Sequence, residues 1–504
     1  MLRGRKVLAG VAVATALLAA SCASSDSAQN VDGPTMPVDD DVSDESAAVD
    51  PTADGAKELA EAPDPDAASA VADEPEPVAV AEPVALARYE SDSSDVLFDP
   101  DVVHTFAINV DPDKLAEIDA DPTAEEYVEG SLTFDGETIG PIGVRYKGSI
   151  GAFLLCTDGP NLLDPSGAKT CTKLSMKLKM NWEDSDDTFY GVKKVQLHSQ
   201  NLDATRMHER LGYWLFREAG VPAPRSTHAR VEINGEFTGL FALTEQIDGR
   251  FTRENFDDGS GNLYKEVWPF NPDGTPRDAE EFIDGLKTNE DEDPTADMIR
   301  QFAEELADAE PGTEIEVIDR WIDVDLLVRT MVVDRAIRND DGALHWYCFD
   351  GCNPHNFYWY ENPTTDKLTL LPWDLDNAFD NLGSSGVTGS VTEIADRFGD
   401  ITDDCAVFFF GGFNLPQKSA ACDPLIGPIS QLTEEFDAAR AEFVAGPFSK
   451  ESVDERIAEW STQVEELVAE AEATYVDGQP VVAWREAMTA MISDIDAARD
   501  ADGR

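Results

Sequence analysis

Period-two alternation marks the first folded stretch of the chain. In Lys173-Leu174-Ser175-Met176-Lys177-Leu178-Lys179 the lysines and the serine fall on one face and the apolar residues on the other, which predicts a half-buried strand. Short runs of the same kind cover Val103 to Val110, Tyr127 to Phe134, Gly143 to Lys147, Leu174 to Met180 and Lys194 to His198. The period then lengthens. Met207, Leu211, Trp214 and Leu215 recur at helical spacing, Asp203 or Thr205 can cap the start, and Gly220 with Pro222 ends it. Ala229 to Ile233 and Phe237 to Thr244 flank Asn234-Gly235, the dipeptide of a tight hairpin turn. Beyond Glu245 the strand pattern is lost, and helical patterns run over Met298 to Leu306, Val324 to Ile337, Val453 to Tyr475 and Val482 to Ala498. Strands, one helix, a hairpin and a mainly helical half predict an α+β fold segregated along the chain. Ligands commonly bind between such halves.

The pattern also predicts what lies ahead of the fold. Arg3, Arg5 and Lys6 precede an uncharged, mostly apolar run from Val7 to Ala20, the layout of an export signal, too short for a membrane span of about 20 apolar residues. The run ends in Leu18-Ala19-Ala20-Ser21-Cys22, which resembles a bacterial lipobox and implies a lipidated Cys22, an anchor in the cell membrane and an extracytoplasmic location. From Asp26 to Glu90 there are 18 acidic and two basic residues without apolar periodicity, a composition that predicts a disordered tether. The expected organisation is a lipoprotein signal over 1–21, a tether over 22–95, a folded domain over 96–447 whose halves divide near 245, and a helical extension over 448–504.

Charge and cysteines narrow the function. The 504 residues carry 101 Asp and Glu against 38 Lys and Arg, a net charge of -63. Phosphate-backbone binding needs clustered Lys and Arg, so nucleic acid is set aside as a partner. Without Cys22, six cysteines remain in three sequence-local pairs, 156 with 171, 348 with 352 and 405 with 422. Disulfides suit an exported protein. A zinc site is the rival at Cys348 and Cys352, with His345 and His355 close by.

Candidate chemistry gathers in three places. Asp374 and Asp376 follow the apolar strand Lys367 to Leu371 and the Tyr-rich run His355 to Tyr360, so both carboxylates can meet a hard cation at a strand end. In a chain poor in cations, Arg145, Lys147, Lys173, Lys177 and Lys179 would form a positive site suited to a polyphosphate if adjacent strands gather them. The strand Phe237 to Thr244 runs into Glu245-Gln246-Ile247-Asp248 at the junction of the halves, where backbone groups suit an adenine edge. Hydrolase signatures are absent: there is no Gly-x-Ser-x-Gly elbow, no His-Glu-x-x-His helix and no Gly-Lys-Ser/Thr phosphate loop.

Arg145-Tyr146-Lys147-Gly148-Ser149, Lys-Leu-Ser-Met-Lys-Leu, the 203–220 helix, the Asn-Gly-Glu-x-x-Gly-Leu hairpin ending in Leu-Thr-Glu-x-Ile-Asp, Asn339-Asp340-Asp341-Gly342 and Pro372-Trp373-Asp374-Leu375-Asp376 occur in this order. Together they resemble the CotH family of spore-coat-type atypical protein kinases over roughly Phe98 to Phe379. The resemblance implies a divergent protein-kinase-like fold of two lobes, a strand-rich N-lobe with one helix and a mainly helical C-lobe, that binds ATP with magnesium or manganese and phosphorylates proteins. It further implies that Lys177 pairs with the nucleotide phosphates, with Glu209 orienting it and Arg145 and Lys147 nearby. Glu245 to Ile247 would form the adenine hinge. Asp341 would orient the attacking hydroxyl, Asn356 would support a metal, and Asp374 with Asp376 would ligate it. Asp340 is an alternative to Asp341 as the base. His208 stands where the family is expected to carry Arg, and the stretch from Asp341 to Asn356 is longer than expected. A pseudokinase-like scaffold of the envelope, retaining the fold without catalysis, is the alternative from another functional class.

Overall fold

The computed structural model describes residues 93–161, 164–291, 295–339, 341–348, 351–379, 405–410 and 415–500. The expected export signal, Cys22, nearly all of the acidic tether, and Asp340 lie outside the described residues.

Seven strands close into a barrel: β1 (His104–Val110), β2 (Val128–Phe134), β3 (Glu137–Tyr146), β4 (Met176–Lys179), β5 (Lys194–His198), β6 (Ser226–Ile233) and β7 (Glu236–Thr244), in the order β1-β2-β3-β4-β5-β7-β6. Its pairings are antiparallel except that β1 and β6 close it in parallel register. Phe106, Leu132, Val144, Met176, Leu178, Leu197, Val231 and Leu243 fill the interior. Since side chains alternate along a strand, Arg145, Lys147, Lys177, Gln196, His198 and Thr244 stand on the outer face. The strand β3 begins earlier than its sequence pattern predicts because Gly140-Pro141 interrupts the alternation of its first half. At the hairpin, Asn234 and Gly235 both have positive φ, 51° and 83°, as a two-residue turn matching the strand twist requires.

Helices α1 (Pro112–Ala120) and α2 (Ile150–Phe153) are short insertions between strands. The helix α3 (His208–Glu218) packs beside the barrel. It starts later than Asp203, but Asp203 still serves its N-terminus, accepting the His208 N–H at 2.9 Å.

The second half holds helices α4 (Gly249–Asn255), α5 (Ala279–Asp284), α6 (Asp297–Ala307), α7 (Glu314–Trp321), α8 (Val324–Ala336), α9 (Ile426–Ile429), α10 (Thr433–Ala445), α11 (Lys450–Thr474) and α12 (Val481–Asp500). It is mainly but not purely helical: the expected strand from Lys367 to Leu371 is present and pairs with one over the Tyr-rich run, and four further short strands among the described residues escape the sequence pattern. β8 (Leu263–Lys265), β10 (Phe357–Asn362) and β11 (Lys367–Pro372) form one sheet, and β9 (Trp346–Tyr347), β12 (Phe408–Phe410) and β13 (Leu415–Lys418) another. Every residue of β10 is buried. A strand covered on both faces loses the polar alternation that would betray it.

One apolar core runs from Leu211 and Leu215 of α3 through Val328 and Met331 of α8 to Trp460 and Val464 of α11 and Trp484 and Met491 of α12. The C-terminal helices thus belong to the same core as the rest of this half. Trp460 lies under the Arg210 guanidinium at 4.4 Å, and Arg230 of β6 forms an ion pair with Glu470, so α11 is bound to both α3 and the barrel. The three expected disulfides are present, Cys156–Cys171, Cys348–Cys352 and Cys405–Cys422. The zinc alternative at Cys348 and Cys352 is thereby overturned, because a disulfide sulfur is no thiolate ligand.

Candidate functional site

The site is built where one face of α3 meets the outer face of the barrel and the open end of the β10–β11 hairpin. Glu209, Gly212 and Tyr213 fall at i, i+3 and i+4 on that face. Glu209 is 1% exposed and accepts from His198 Nδ1 at 2.8 and 2.9 Å and from Thr244 Oγ1 at 3.4 Å. Tyr213 Oη accepts the Asp374 N–H at 2.9 Å. A Cβ on Gly212 would lie 2.9 Å from Leu375 Cδ1, so glycine sets how closely the helix approaches the turn that carries Asp374.

His198 is bonded on both sides. Its Nε2 lies 2.7 Å from Lys147 Nζ, which also donates to Gln196 Oε1 at 2.7 Å. The ammonium stands 5.8 Å over the Trp373 ring. Burial pushes the Lys147 pKa down, opposed by the charges of Asp374 and Glu209. Among the described residues, His198, Glu209 and Asp374 can each offer a ligand atom to a metal, the atoms lying within 4.8 Å of one another. The imidazole is committed to Lys147 and Glu209, which leaves carboxylate oxygens as the natural ligands for a hard cation.

On the other side of Asp374, Asn356 precedes β10 and Asp374 follows β11. The Phe357–Pro372 register brings these hairpin ends together, and the Trp373 N–H donates to the Asn356 carbonyl at 3.0 Å. The Asn356 side chain donates to Asp341, to its carbonyl at 2.9 Å and its Oδ2 at 3.0 Å, and Asn377 Nδ2 reaches the same Oδ2 at 3.2 Å. Asp341 is 4% exposed. Gly342 follows it in a tight space: a Cβ there would lie 2.1 Å from Asn339 Nδ2 and 3.0 Å from Asp334 Oδ2, so a larger residue would displace those side chains. Glu266, after β8, accepts the Asn356 N–H at 3.2 Å. Burial raises its pKa, and the nearby Asp374 adds to this against the opposing charge of Lys265. Carboxylates crowded in this way suit a cation.

The predicted residues are gathered unevenly. Lys147, Glu209 and Asp374 converge, as do Asp341 and Asn356. Arg145 is drawn into a 2.6 Å ion pair with Glu125 and stacks on Tyr127. Lys177 lies opposite Arg145 and Gln196 in register, but the lysine reached from Glu209 through His198 is Lys147. Lys173 turns away to the Leu240 carbonyl. Glu245 is held by Arg225 and Arg250, whereas Ile247 packs in one cluster with Trp373 and Tyr358, which brings the end of this segment next to Asp374. The carbonyl of Asp376 accepts from His208 Nδ1 at 2.7 Å. His208 therefore ties α3 to the turn that carries Asp374 and Asp376. Sequence reading missed His198, Gln196, Tyr213, Glu266 and Asn377. The first two had a legible signal, polar residues alternating outward on a strand, but nothing in the sequence says what that face meets.

A barrel, a helix carrying a buried glutamate, and a hairpin whose ends present Asn356 and Asp374 define an α+β protein with a carboxylate- and amide-lined site beside Lys147. The profile of the CotH kinase protein family matches residues 144–493, and the chain belongs to that family. It is also similar to the inner spore coat protein H of Bacillus subtilis (strain 168), 23% identical over 202 residues, or 38% of this chain and 51% of that protein. The chain thus spans about half the length of this relative.

Proposed function

We propose that the protein is an ATP-dependent protein kinase that transfers the γ-phosphoryl group to Ser or Thr hydroxyls of envelope or extracellular proteins, from a divergent protein-kinase-like fold of two lobes. The observation that carries this reading is the pairing of two environments around one turn. On one side Asp341 is pinned by two amide donors, as a residue orienting a hydroxyl must be. On the other, Asp374 lies close to Glu209 and His198, with Lys147 bonded to His198. Magnesium or manganese would be held by Asp374, with Asn356 and Asp376 nearby and Glu209 within reach, and would neutralise phosphate charge. Lys147 binds phosphate oxygens, with Lys177 on the neighbouring strand in register with Arg145 and Gln196. The segment from Glu245 to Ile247 receives the adenine, and the buried Gln246 Oε1, which meets no donor among the described residues, is an acceptor for its amino group. Asp341 accepts the hydroxyl proton as the new O–P bond forms and the bond from phosphorus to the ADP oxygen breaks. Three disulfides support a place outside the cytoplasm, consistent with a lipid anchor at Cys22.

The test is transfer of labelled phosphate from ATP to acceptor proteins by the chain from Leu97 onward. Asp341→Asn is expected to lower transfer by about 10²-fold or more while retaining an ATP-dependent rise in melting temperature. Asp374→Asn is expected to lose both transfer and the metal-dependent part of that rise. Transfer undiminished in both variants refutes the assignment. A second reading, a nucleotide-binding scaffold without catalysis, is favoured by the engagement of Arg145 with Glu125, which occupies a cation the family pattern offers to phosphate. Binding without transfer would establish it.

A further inference from the structure

We infer that His198 is a positioning residue that joins Lys147 to Glu209, so that a Lys–His–Glu relay stands where a kinase fold carries a direct lysine–glutamate pair. This inference rests on the kinase reading for its phosphate role, but not for the relay itself. A lysine ammonium has three donors and no acceptor, so Nε2 of His198 must accept from Lys147. The ring proton then sits on Nδ1 and is donated to Glu209, whose two oxygens are at 2.8 and 2.9 Å. One tautomer thus carries the negative charge of the helix α3 residue across the imidazole to the ammonium. The members are enclosed: His198 is 6% exposed, Glu209 1% and Gln196 3%. The His198 ring is further fixed edge-on to Trp373 at 6.1 Å.

Gln196 and His198 take two of the three Lys147 N–H groups, leaving one for a phosphate oxygen. Burial disfavours a charged lysine here, and the charges of Asp374 and then Glu209 oppose it. The relay adds a fixed hydrogen-bonded path from Lys147 to Glu209, which holds the ammonium in place without a direct carboxylate contact. It also makes the position of α3 a condition for the lysine to be in place.

The experiment compares His198→Met, which keeps bulk and loses both hydrogen bonds, with His198→Gln, whose amide offers one acceptor and one donor. Both are combined with Lys147→Met. His198→Met is expected to raise KM for ATP by about tenfold or more, the effect of a lost charge-assisted hydrogen bond, with KM for the acceptor protein unchanged. His198→Gln is expected to recover most of the loss. In the Lys147→Met background His198→Met should have no further effect, because His198 acts through the lysine. Additive losses, or an unchanged KM for ATP in His198→Met, overturn the inference. Histidine nitrogen NMR of the full chain decides the relay independently of any activity. The wild type should show a neutral Nδ1–H imidazole whose signal disappears in His198→Met and changes in Lys147→Met. An Nε2–H tautomer overturns the relay, whereas a wild type that shows the signature but binds no nucleotide overturns only the phosphate role and the kinase reading.

Discussion

Gly342 shows how far a single side chain decides this site. Its missing Cβ leaves room for Asn339 Nδ2, which itself donates to Asp334 at 3.0 Å, directly beside the Asp341 carboxylate in the chain. Gly342→Ala is expected to cost about 1–3 kcal/mol, the usual range for overpacking, and to displace Asp341 from Asn356 and Asn377. Denaturant unfolding checks the first effect, and phosphoryl transfer falling by more than nucleotide affinity checks the second. At this scale the sequence was half legible. Asp341, Asn356 and Asp374 stood out because acids and amides beside Gly, Pro and Trp in a fixed order carry a recognisable pattern. That Lys147 is the lysine bonded to His198 was not legible, since Lys147 and Lys177 both stand on the outer face of adjacent strands and only the tertiary contacts distinguish them.

Among the elements, α3 joins the parts, and α11 holds α3. Arg210, next to Glu209, stacks on Trp460 and bonds to Gln463 and to His228, while Trp214 meets Trp460 edge-on at 6.2 Å. Trp460→Ala is expected to destabilise the protein by about 3–5 kcal/mol, as for other buried aromatic truncations, read as a lower midpoint in urea. Nucleotide affinity should weaken as well, since the helix bearing Glu209 loses its support. The two long C-terminal helices were predictable from periodicity within a few residues. That they complete the core was not, because an amphipathic stripe announces a buried face and not its partner. The strands of the second half were legible in part: β11 and the Tyr-rich β10 stood out as apolar runs, whereas β8, β9, β12 and β13, two to four residues long, are too short to show a period.

For the whole molecule, charge and buried histidines govern stability. From residue 101 onward there are 80 acidic against 33 basic residues. Self-repulsion on this scale is screened by salt, so the melting temperature is expected to rise between low salt and 1 M NaCl at constant pH. Two buried histidines set an acid limit. His228, pushed down to about 3 by burial and by Arg210, and His345, pushed down to about 3 by burial and by Arg335 and Arg338, stay neutral in the fold. Unfolded, each takes up a proton near pH 6.5, so the stability they contribute is full above that pH and is lost as pH falls toward 3. The destabilisation caused by His228→Gln should therefore be largest near pH 7.5 and shrink by up to about 1.4 kcal/mol per pH unit below 6.5, measured by urea unfolding of both proteins across that range. The sequence alone carried the local matters: strand and helix periods, the hairpin turn, the pairing of near-neighbour cysteines, and the order of motifs that resembles the CotH kinases. These are set by interactions within a few residues. Which lysine meets the buried glutamate, that His198 stands between them, that Arg145 is engaged by Glu125, and that the last helices close the core all depend on contacts between segments distant along the chain, and packing alone brings those together.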